Sequence, residues 1–276
     1  MTVWPAPAKL NLFLHVIGRR DDGYHLLQTA FQFLDYGDEL RFHLTDDSRV
    51  ARAAGPEGVP LDADLSVRAA RSLKQASGYA GGVEITLNKR IPLGGGLGGG
   101  SSDAATTLLA LNQLWGLRMP VSELASLGLA LGADVPVFIH GHAAWAEGIG
   151  EQLTPIDPPQ PWYTVIAPPV QVATVDVFRE FAANRALTPY TPPRTIRDLR
   201  EGRLGNELEL LVRARYPAVE QAFTMLAPHG RPRLTGSGGC VYIEVPDIEK
   251  GRQITSNLPA GFTGFTARGL NRHPLS

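Results

Sequence analysis

The stretch IPLGGGLGGGSSDAA, from Ile91 to Ala105, places six glycines, two serines and an aspartate within fifteen residues. Bare backbone on this scale narrows its surroundings to three arrangements: a slack linker, a dinucleotide-binding turn, or a cradle for phosphates. A linker conflicts with the setting. An alternating strand, Val83-Glu84-Ile85-Thr86-Leu87, precedes the run and a strongly apolar helix over 102–115 follows it, so the run lies inside a packed domain. Gly94, Gly96 and Gly99 satisfy G-x-G-x-x-G, but the dinucleotide fingerprint also needs a second strand soon after the helix, ending in an acid about 20 residues on. Here Gly116 and a second helix over 121–131 come next, and the nearest acid at that spacing, Glu123, lies within the helix. No Gly-Lys-Ser/Thr follows the glycines, which excludes a P-loop. What remains is a glycine loop entering a helix N-terminus, where unshielded N–H groups and the positive dipole end can hold an anion. A purely structural glycine turn is the plain alternative. Ser101 and Ser102 fit either as helix caps or as donors to phosphate oxygens. Asp103 reads as a first-turn carboxylate facing the dipole.

The rest of the chain suits such a site. With 43% hydrophobic and 19% charged residues over 276 positions, it can bury a sizeable core in one large or two modest domains. Its 26 basic and 27 acidic residues leave a formal charge of -1 and no block of like charge. That excludes a broad electrostatic footprint for nucleic acid or an anionic membrane. The one cysteine, Cys240, rules out an internal disulfide, reads as a small buried residue and fits a reducing, cytoplasmic setting. No apolar run reaches membrane-span length. The greasy stretch after Lys9 is interrupted by Asn11 and His15 and lacks a basic leader, which argues against a signal peptide.

The pattern along the chain is α+β. Lys9 to Val16 alternates, with Leu10, Leu12, Leu14 and Val16 on one face and Lys9, Asn11, Phe13 and His15 on the other. Asp22-Gly23 is hairpin-turn chemistry; extended segments follow near 28–36 and 39–44, and 63–77 reads as a helix. The helix over 121–131 stops at Gly132. Asp134-Val135-Pro136-Val137-Phe138 then leads into a strand, with Val135 kept extended by the proline after it. Prolines across 153–161 break regular structure and divide the chain into domains of 1–155 and 156–276. Beyond them come strands near 162–167, 233–236, 240–245 and 262–267, and helices near 175–184, 206–214, 217–227 and 247–257. Residues 185–205 carry no readable pattern.

Three stretches together resemble the signatures of the GHMP small-molecule kinases, which include galactokinase and the homoserine, mevalonate and phosphomevalonate kinases. They are the strand around Pro7 to Leu12, the glycine run, and the late Thr235-Gly236-Ser237-Gly238-Gly239. With Arg20 to His25 and Leu131 to Pro136 added, the likeness is closest to one branch of that family. That branch phosphorylates the 2-hydroxyl of a cytidine-diphosphate-linked methylerythritol, a step in isoprenoid precursor synthesis outside the mevalonate route. The resemblance implies a two-domain fold with the active site in the interdomain cleft. It implies ATP as phosphoryl donor and Mg2+ with it, for which no protein ligands stand out.

Carried over residue by residue, the resemblance makes Asp134 the catalytic base and Lys9 its partner, holding the aspartate ionised and offsetting phosphoryl charge. Read without it, Asp134 is a loop carboxylate and Lys9 a lysine on a strand's wet face. Asn11 shares that face and can bond either the substrate hydroxyl or Lys9. The resemblance implies that aromatic rings sandwich the cytosine, with Tyr24 and Phe178 in those positions, and that His25 reads the base edge. Phe178 fits helix core nearly as well, and Phe31 fits plain core better than a place packed beneath the site. Pro92, Leu93, Gly94, Gly95, Gly96, Leu97, Gly98, Gly99, Gly100, Ser101 and Ser102 would carry the phosphates of ATP, with Leu65 near the adenine. Asp64 stands where the family's Asp-Asn-Leu pattern carries asparagine, which removes an amide contact to the base. Gly236 to Gly239 can approach the glycine run closely because they lack side chains. Two alternatives stay open: another GHMP kinase of the mevalonate type, and a nucleotide-sensing protein without catalysis.

Overall fold

The computed structural model describes residues 2–21, 23–184 and 195–276. Asp22 of the expected turn, and positions 185–194 of the unreadable segment, lie outside the described residues. Ten strands form one connected sheet: β1 (Trp4–Arg19), β2 (His25–Thr45), β3 (Val50–Ala54), β4 (Gly82–Asn88), β5 (Ala144–Glu147), β6 (Gln152–Pro155), β7 (Trp162–Ala167), β8 (Arg233–Leu234), β9 (Val241–Val245) and β10 (Thr263–Leu270). The main order is β3-β4-β2-β10-β7-β9-β8, with β1 on β2 and the β5–β6 pair joined through β5 to β2. The helices are α1 (Leu65–Ser77), α2 (Gly99–Leu114), α3 (Val121–Leu131), α4 (Val135–His140), α5 (Thr174–Asn184), α6 (Ile196–Arg200), α7 (Glu209–Arg215), α8 (Pro217–Leu226) and α9 (Ile248–Thr255). Among the described residues no helix is long and apolar enough to cross a membrane.

β2 is the hub, pairing with β1, β4, β5 and β10. The two extended segments expected near 28–36 and 39–44 are this one strand. Gly37, between those two segments, permits close approach, since a Cβ there would run into the backbone of Ala6 and Pro7.

β1 departs from the expected one-sided strand. The plain alternative for Lys9 and Asn11, polar residues on a wet face, does not hold: both are buried, Lys9 to 2% exposure, as are Phe13 and His15. The glycine run and the Thr235–Cys240 turn cover that face, and bulges between Pro7/Lys9 and Asn11/Leu14 break the register. A second correction concerns Val135. It begins α4 and is not extended, because Pro136 falls in the first helical turn, where a missing N–H costs nothing. The expected strand comes only later, at β5.

The predicted boundary at 155/156 falls between β6 and β7. The end of the chain then returns to the first half. Gly269 and Leu270 pair with Leu34 and Phe33 of β2, and the His273 N–H donates to Gly141 O at 2.9 Å. The His273 imidazole stands edge-on to Phe33 and Phe138 at 5.7 and 6.4 Å, behind α4. Its Nδ1 accepts the Leu275 N–H at 3.1 Å, which requires a neutral ring.

Burial pushes His273 down to about 4 from an ordinary 6.5. A depressed folded value means the contribution is present above the unfolded value and is lost as pH falls from 6.5 toward 4, up to roughly 3 kcal/mol. Urea unfolding across pH 7 to 4.5 should therefore show a steeper stability loss in the native chain than in His273→Gln. Parallel curves would remove His273 as the source.

Candidate active site

The glycine run sits where β4 hands over to α2, and its backbone polarity is sorted. Five successive carbonyls are engaged. Gly94 O and Gly95 O accept the N–H groups of Gly239 (3.4 Å) and Cys240 (3.1 Å), Leu97 O accepts the Lys9 N–H (2.9 Å) and Gly98 O accepts the Ser102 N–H (2.8 Å). Gly96 O takes the Lys9 ammonium at 3.2 Å. Among the described residues, by contrast, no backbone N–H from Leu93 to Ser101 donates to another protein group. Positive φ at Gly94, Gly96 and Gly98 alternates with ordinary residues, the pattern in which successive N–H groups converge on an anion. Gly98 caps α2, so neither serine does, and the first free N–H groups of the helix continue the row.

Pro92 through Ser101 line one cavity of about 430 Å3, together with Leu65, Lys9, Asn11, Asp134 and Phe178. Ser102 does not. It is fully buried in α2 and its Oγ has no partner among the described residues. Thus every predicted ATP-side residue except Ser102 faces one space.

At the floor of that cavity Lys9 Nζ lies 3.0 Å from Asp134 Oδ2. It also donates to Asn11 Oδ1 at 2.5 Å and stands 5.1 Å from the Phe31 ring centroid. Of the two partners proposed for Asn11, the structure supplies Lys9. The other end of its amide donates to Thr29 Oγ1 at 2.9 Å, and Thr29 donates to Phe13 O. Asp134 is about a third exposed (34%), open to the cavity from the cap of α4. Phe31 combines the two places weighed for it, buried in the core and lying under the ammonium.

Tyr24 and His25 line a second cavity of about 680 Å3, which shares Leu27, Ala133, Ile149, Thr174 and Phe178 with the first. The two spaces therefore adjoin, with Thr174 and Phe178 of α5 lining both. His25 stacks on Phe178 at 5.1 Å and 25°, while Tyr24 stands 60% exposed at the rim. Phe178 packs partly on the core and also lines both cavities. Burial first, and then the Arg19 guanidinium, hold His25 below its ordinary 6.5. Its Nε2 is buried with no partner among the described residues, a neutral imidazole nitrogen suited to a base edge.

Two features escaped the sequence. Lys89, unremarked at the end of β4, lines the cavity beside Gly99 and is clamped between Asp38 (2.5 Å) and Asp103 (2.7 Å). Asp103 is thus one of three members of an ion triad, beyond the dipole role expected of it. Burial works against the Lys89 ammonium, but the two carboxylates outweigh it. Burial above all, with the neighbouring Asp38 carboxylate, raises Asp103 against the opposing pull of the Lys89 ammonium. Asp64 caps α1 through Ser66 N–H (2.8 Å) and Val67 N–H (3.4 Å), and its Oδ2 pairs with Arg52 at 2.6 Å. A carboxylate at this position thus has its own counterion, Arg52 of β3, which no local pattern announces. Lys89→Met would strand two buried carboxylates and should cost about 3–5 kcal/mol in urea unfolding. A loss below about 1 kcal/mol would show that the triad holds nothing in place.

A model of the GHMP kinases N-terminal domain matches residues 64–142. The 4-diphosphocytidyl-2-C-methyl-D-erythritol kinase of Alkalilimnicola ehrlichii is 53% identical across 97% of this chain and 90% of its own length. A crystal structure of a 4-(cytidine 5'-diphospho)-2C-methyl-D-erythritol kinase superposes with a TM-score of 0.83 at 35% identity, covering 97% of this chain and 99% of that one. A mevalonate kinase structure, covering 99% and 100% at 17% identity and a TM-score of 0.70, shares the fold alone. The chain belongs to the 4-diphosphocytidyl-2-C-methyl-D-erythritol kinase family within the GHMP kinases.

Proposed function

We propose that this chain transfers the γ-phosphoryl group of ATP to the 2-hydroxyl of 4-diphosphocytidyl-2-C-methyl-D-erythritol, in isoprenoid precursor synthesis outside the mevalonate route. The observation that carries the reading is the row of undonated N–H groups from Leu93 to Ser101, running into the first turn of α2 beside the Lys9–Asp134 pair. Such a row binds the phosphates and leaves the terminal one next to a base. In the reaction the acceptor oxygen bonds to the γ-phosphorus, the bond to the β,γ-bridging oxygen breaks, and ADP carries that electron pair away. Asp134 takes the hydroxyl proton, while Lys9 offsets charge on the moving phosphoryl group and holds the Asp134 carboxylate in place.

Tyr24, His25 and Phe178 would receive the cytosine, two rings by stacking and the imidazole by its unpartnered nitrogen. Because His25 lies on one face of Phe178, an entering base displaces it or uses another face. Asp64 is committed to Arg52 and the α1 cap, so adenine recognition falls to Leu65 and neighbouring backbone. The active site then lies in the cleft between domains 1–155 and 156–276. Mg2+ neutralises phosphate charge when bound. Among the described residues, Asp134 is the one acidic side chain lining the phosphate cavity, and no cluster of three or more His, Cys, Asp and Glu is present. Mg2+ would therefore ride chiefly on ATP oxygens and water. Cys240 is buried and its thiol is pushed up to about 12 by that burial, in keeping with an inert cysteine in a reducing cytoplasm.

A mevalonate-type acceptor would leave the aromatic cavity around Tyr24 unused. A pure nucleotide sensor would have no need of the Lys9–Asp134 pair. Phosphorus NMR of the chain with Mg-ATP and the diphosphocytidyl acceptor should show a new phosphomonoester growing with ADP; its absence from folded protein would overturn the reading. Asp134→Asn should lower kcat by about 10²- to 10⁴-fold with both KM values nearly unchanged. Tyr24→Ala should raise KM for the cytidine substrate about tenfold, and not that for ATP. Equal changes in both KM values would deny Tyr24 its stacking role.

A further inference from the structure

The segment Gly205-Asn206-Glu207 lies along the free edge of β1. The Leu14 N–H donates to Gly205 O (3.1 Å) and the Glu207 N–H donates to Leu14 O (2.9 Å), while a Glu207 carboxylate oxygen accepts the Val16 N–H (2.8 Å). From that berth the Asn206 amide reaches across to the third glycine turn. Its Nδ2 donates to Leu234 O at 3.1 Å and to Gly236 O at 2.7 Å, and its Oδ1 accepts the Leu208 N–H at 3.0 Å. Both amide hydrogens are spent on carbonyls that flank Thr235. The reverse amide orientation would set an N–H against an N–H and an oxygen against two oxygens, so the orientation is determined by its partners.

Thr235 connects this turn to the reacting groups. Its Oγ1 accepts the Asn11 N–H at 3.0 Å and lies 3.4 Å from Gly96 O, to which it donates. Gly96 O and Asn11 Oδ1 are in turn the two oxygens, beside Asp134, that hold the Lys9 ammonium. Gly236 itself has φ of +60° and passes close enough to Asn11 Oδ1 and Gly96 O that a Cβ would sit 3.1 and 3.2 Å from them. Hydrogen bonds, joined through the backbone of 234–236, thus link Asn206 to Lys9.

We infer that Asn206 is a positioning residue for phosphoryl transfer: by fixing both carbonyls that flank Thr235, it sets the direction in which Lys9 meets Asp134 and the transferred group. The inference rests on the kinase reading above. It touches no part of the Tyr24–His25 end, so it predicts an effect on turnover without one on acceptor recognition. Asn206→Asp is the sharpest probe, since it keeps the size and the acceptor for the Leu208 N–H but turns an oxygen toward two carbonyls. Asn206→Ser, able to donate one of the two bonds, should lie between.

The experiment measures kcat and both KM values for wild type and the two variants, with hydrogen–deuterium exchange on each free protein. Asn206→Asp should lose about 30-fold in kcat with KM values within about threefold, as expected when reacting groups are misaligned by a fraction of an ångström. Exchange should quicken at the amides of Asn11 and of 235–240 while α1, α2 and β4 stay protected. A kcat within twofold of wild type, or exchange that quickens across the whole molecule, would overturn the assignment. If wild type itself leaves the diphosphocytidyl acceptor unphosphorylated, the kinase reading is what has failed. The exchange arm then decides alone: local loss at Asn11 and 235–240 supports the positioning role, and unchanged protection removes it.

Discussion

Backbone packed against backbone is the contact on which this active site depends. Gly95 and Gly96 lie so close to Gly238 that a Cβ on Gly238 would fall inside their main-chain atoms, and a Cβ on Gly96 would run into Thr235 O. Only glycine allows that approach. It lets the Cys240 and Gly239 N–H groups take up the carbonyls of the run from below, so that the N–H groups of the run itself are left facing the cavity. A loop with side chains would have to stand off, and its peptide dipoles would be free to turn. The loop proposed to cradle phosphate is therefore made by two distant glycine segments, each holding the other in shape.

Charge is arranged around the cradle with similar economy. Two lysines reach it, and neither is loose. Lys9 is held by Asp134, Asn11 and Gly96 O, and Lys89 by Asp38 and Asp103. An ammonium so fixed keeps its position when a phosphate arrives, which spares the reorganisation that water or a mobile side chain would require. The two sites differ in access. Asp134 opens to the cavity, whereas Asp38 and Asp103 of α2 are buried, so the first pair faces the space proposed for chemistry and the second ties β2 and the end of β4 to the helix.

Much of this was legible in the sequence because it is written in local chemistry. The strand–glycine–helix order around 83–115, the helix over 121–131 and the alternation of the second half follow from period and turn residues, and the structure has them close to where they were read. The errors arose where neighbours distant in the chain decide. β1 has the alternation of a half-wet strand, and nothing within Lys9 to Val16 reveals that a glycine loop and the Thr235 turn will cover its polar side. Pro136 reads equally as a guard of extended backbone or as a first-turn helix residue, and packing of Val135 and Phe138 into the core selects the helix. Lys89 and Arg52 look like ordinary surface cations until Asp103 and Asp64 are brought to them.

By itself the sequence determined the kind of site. Glycines at Gly94 to Gly100 permit exposed N–H groups ahead of a helix, and the Lys9, Tyr24, His25 and Asp134 motifs resemble one branch of the GHMP kinases. Tertiary structure alone decided which atoms point where. Ser102 turns into α2 while Ser101 faces the cavity, and His25 lies on Phe178 with Tyr24 at the rim. Backbone preference acts over a few residues and can be read from them. The placement of a charge depends on which groups, often a hundred or more residues away, desolvate and bond it, and that is settled only when the chain has closed on itself.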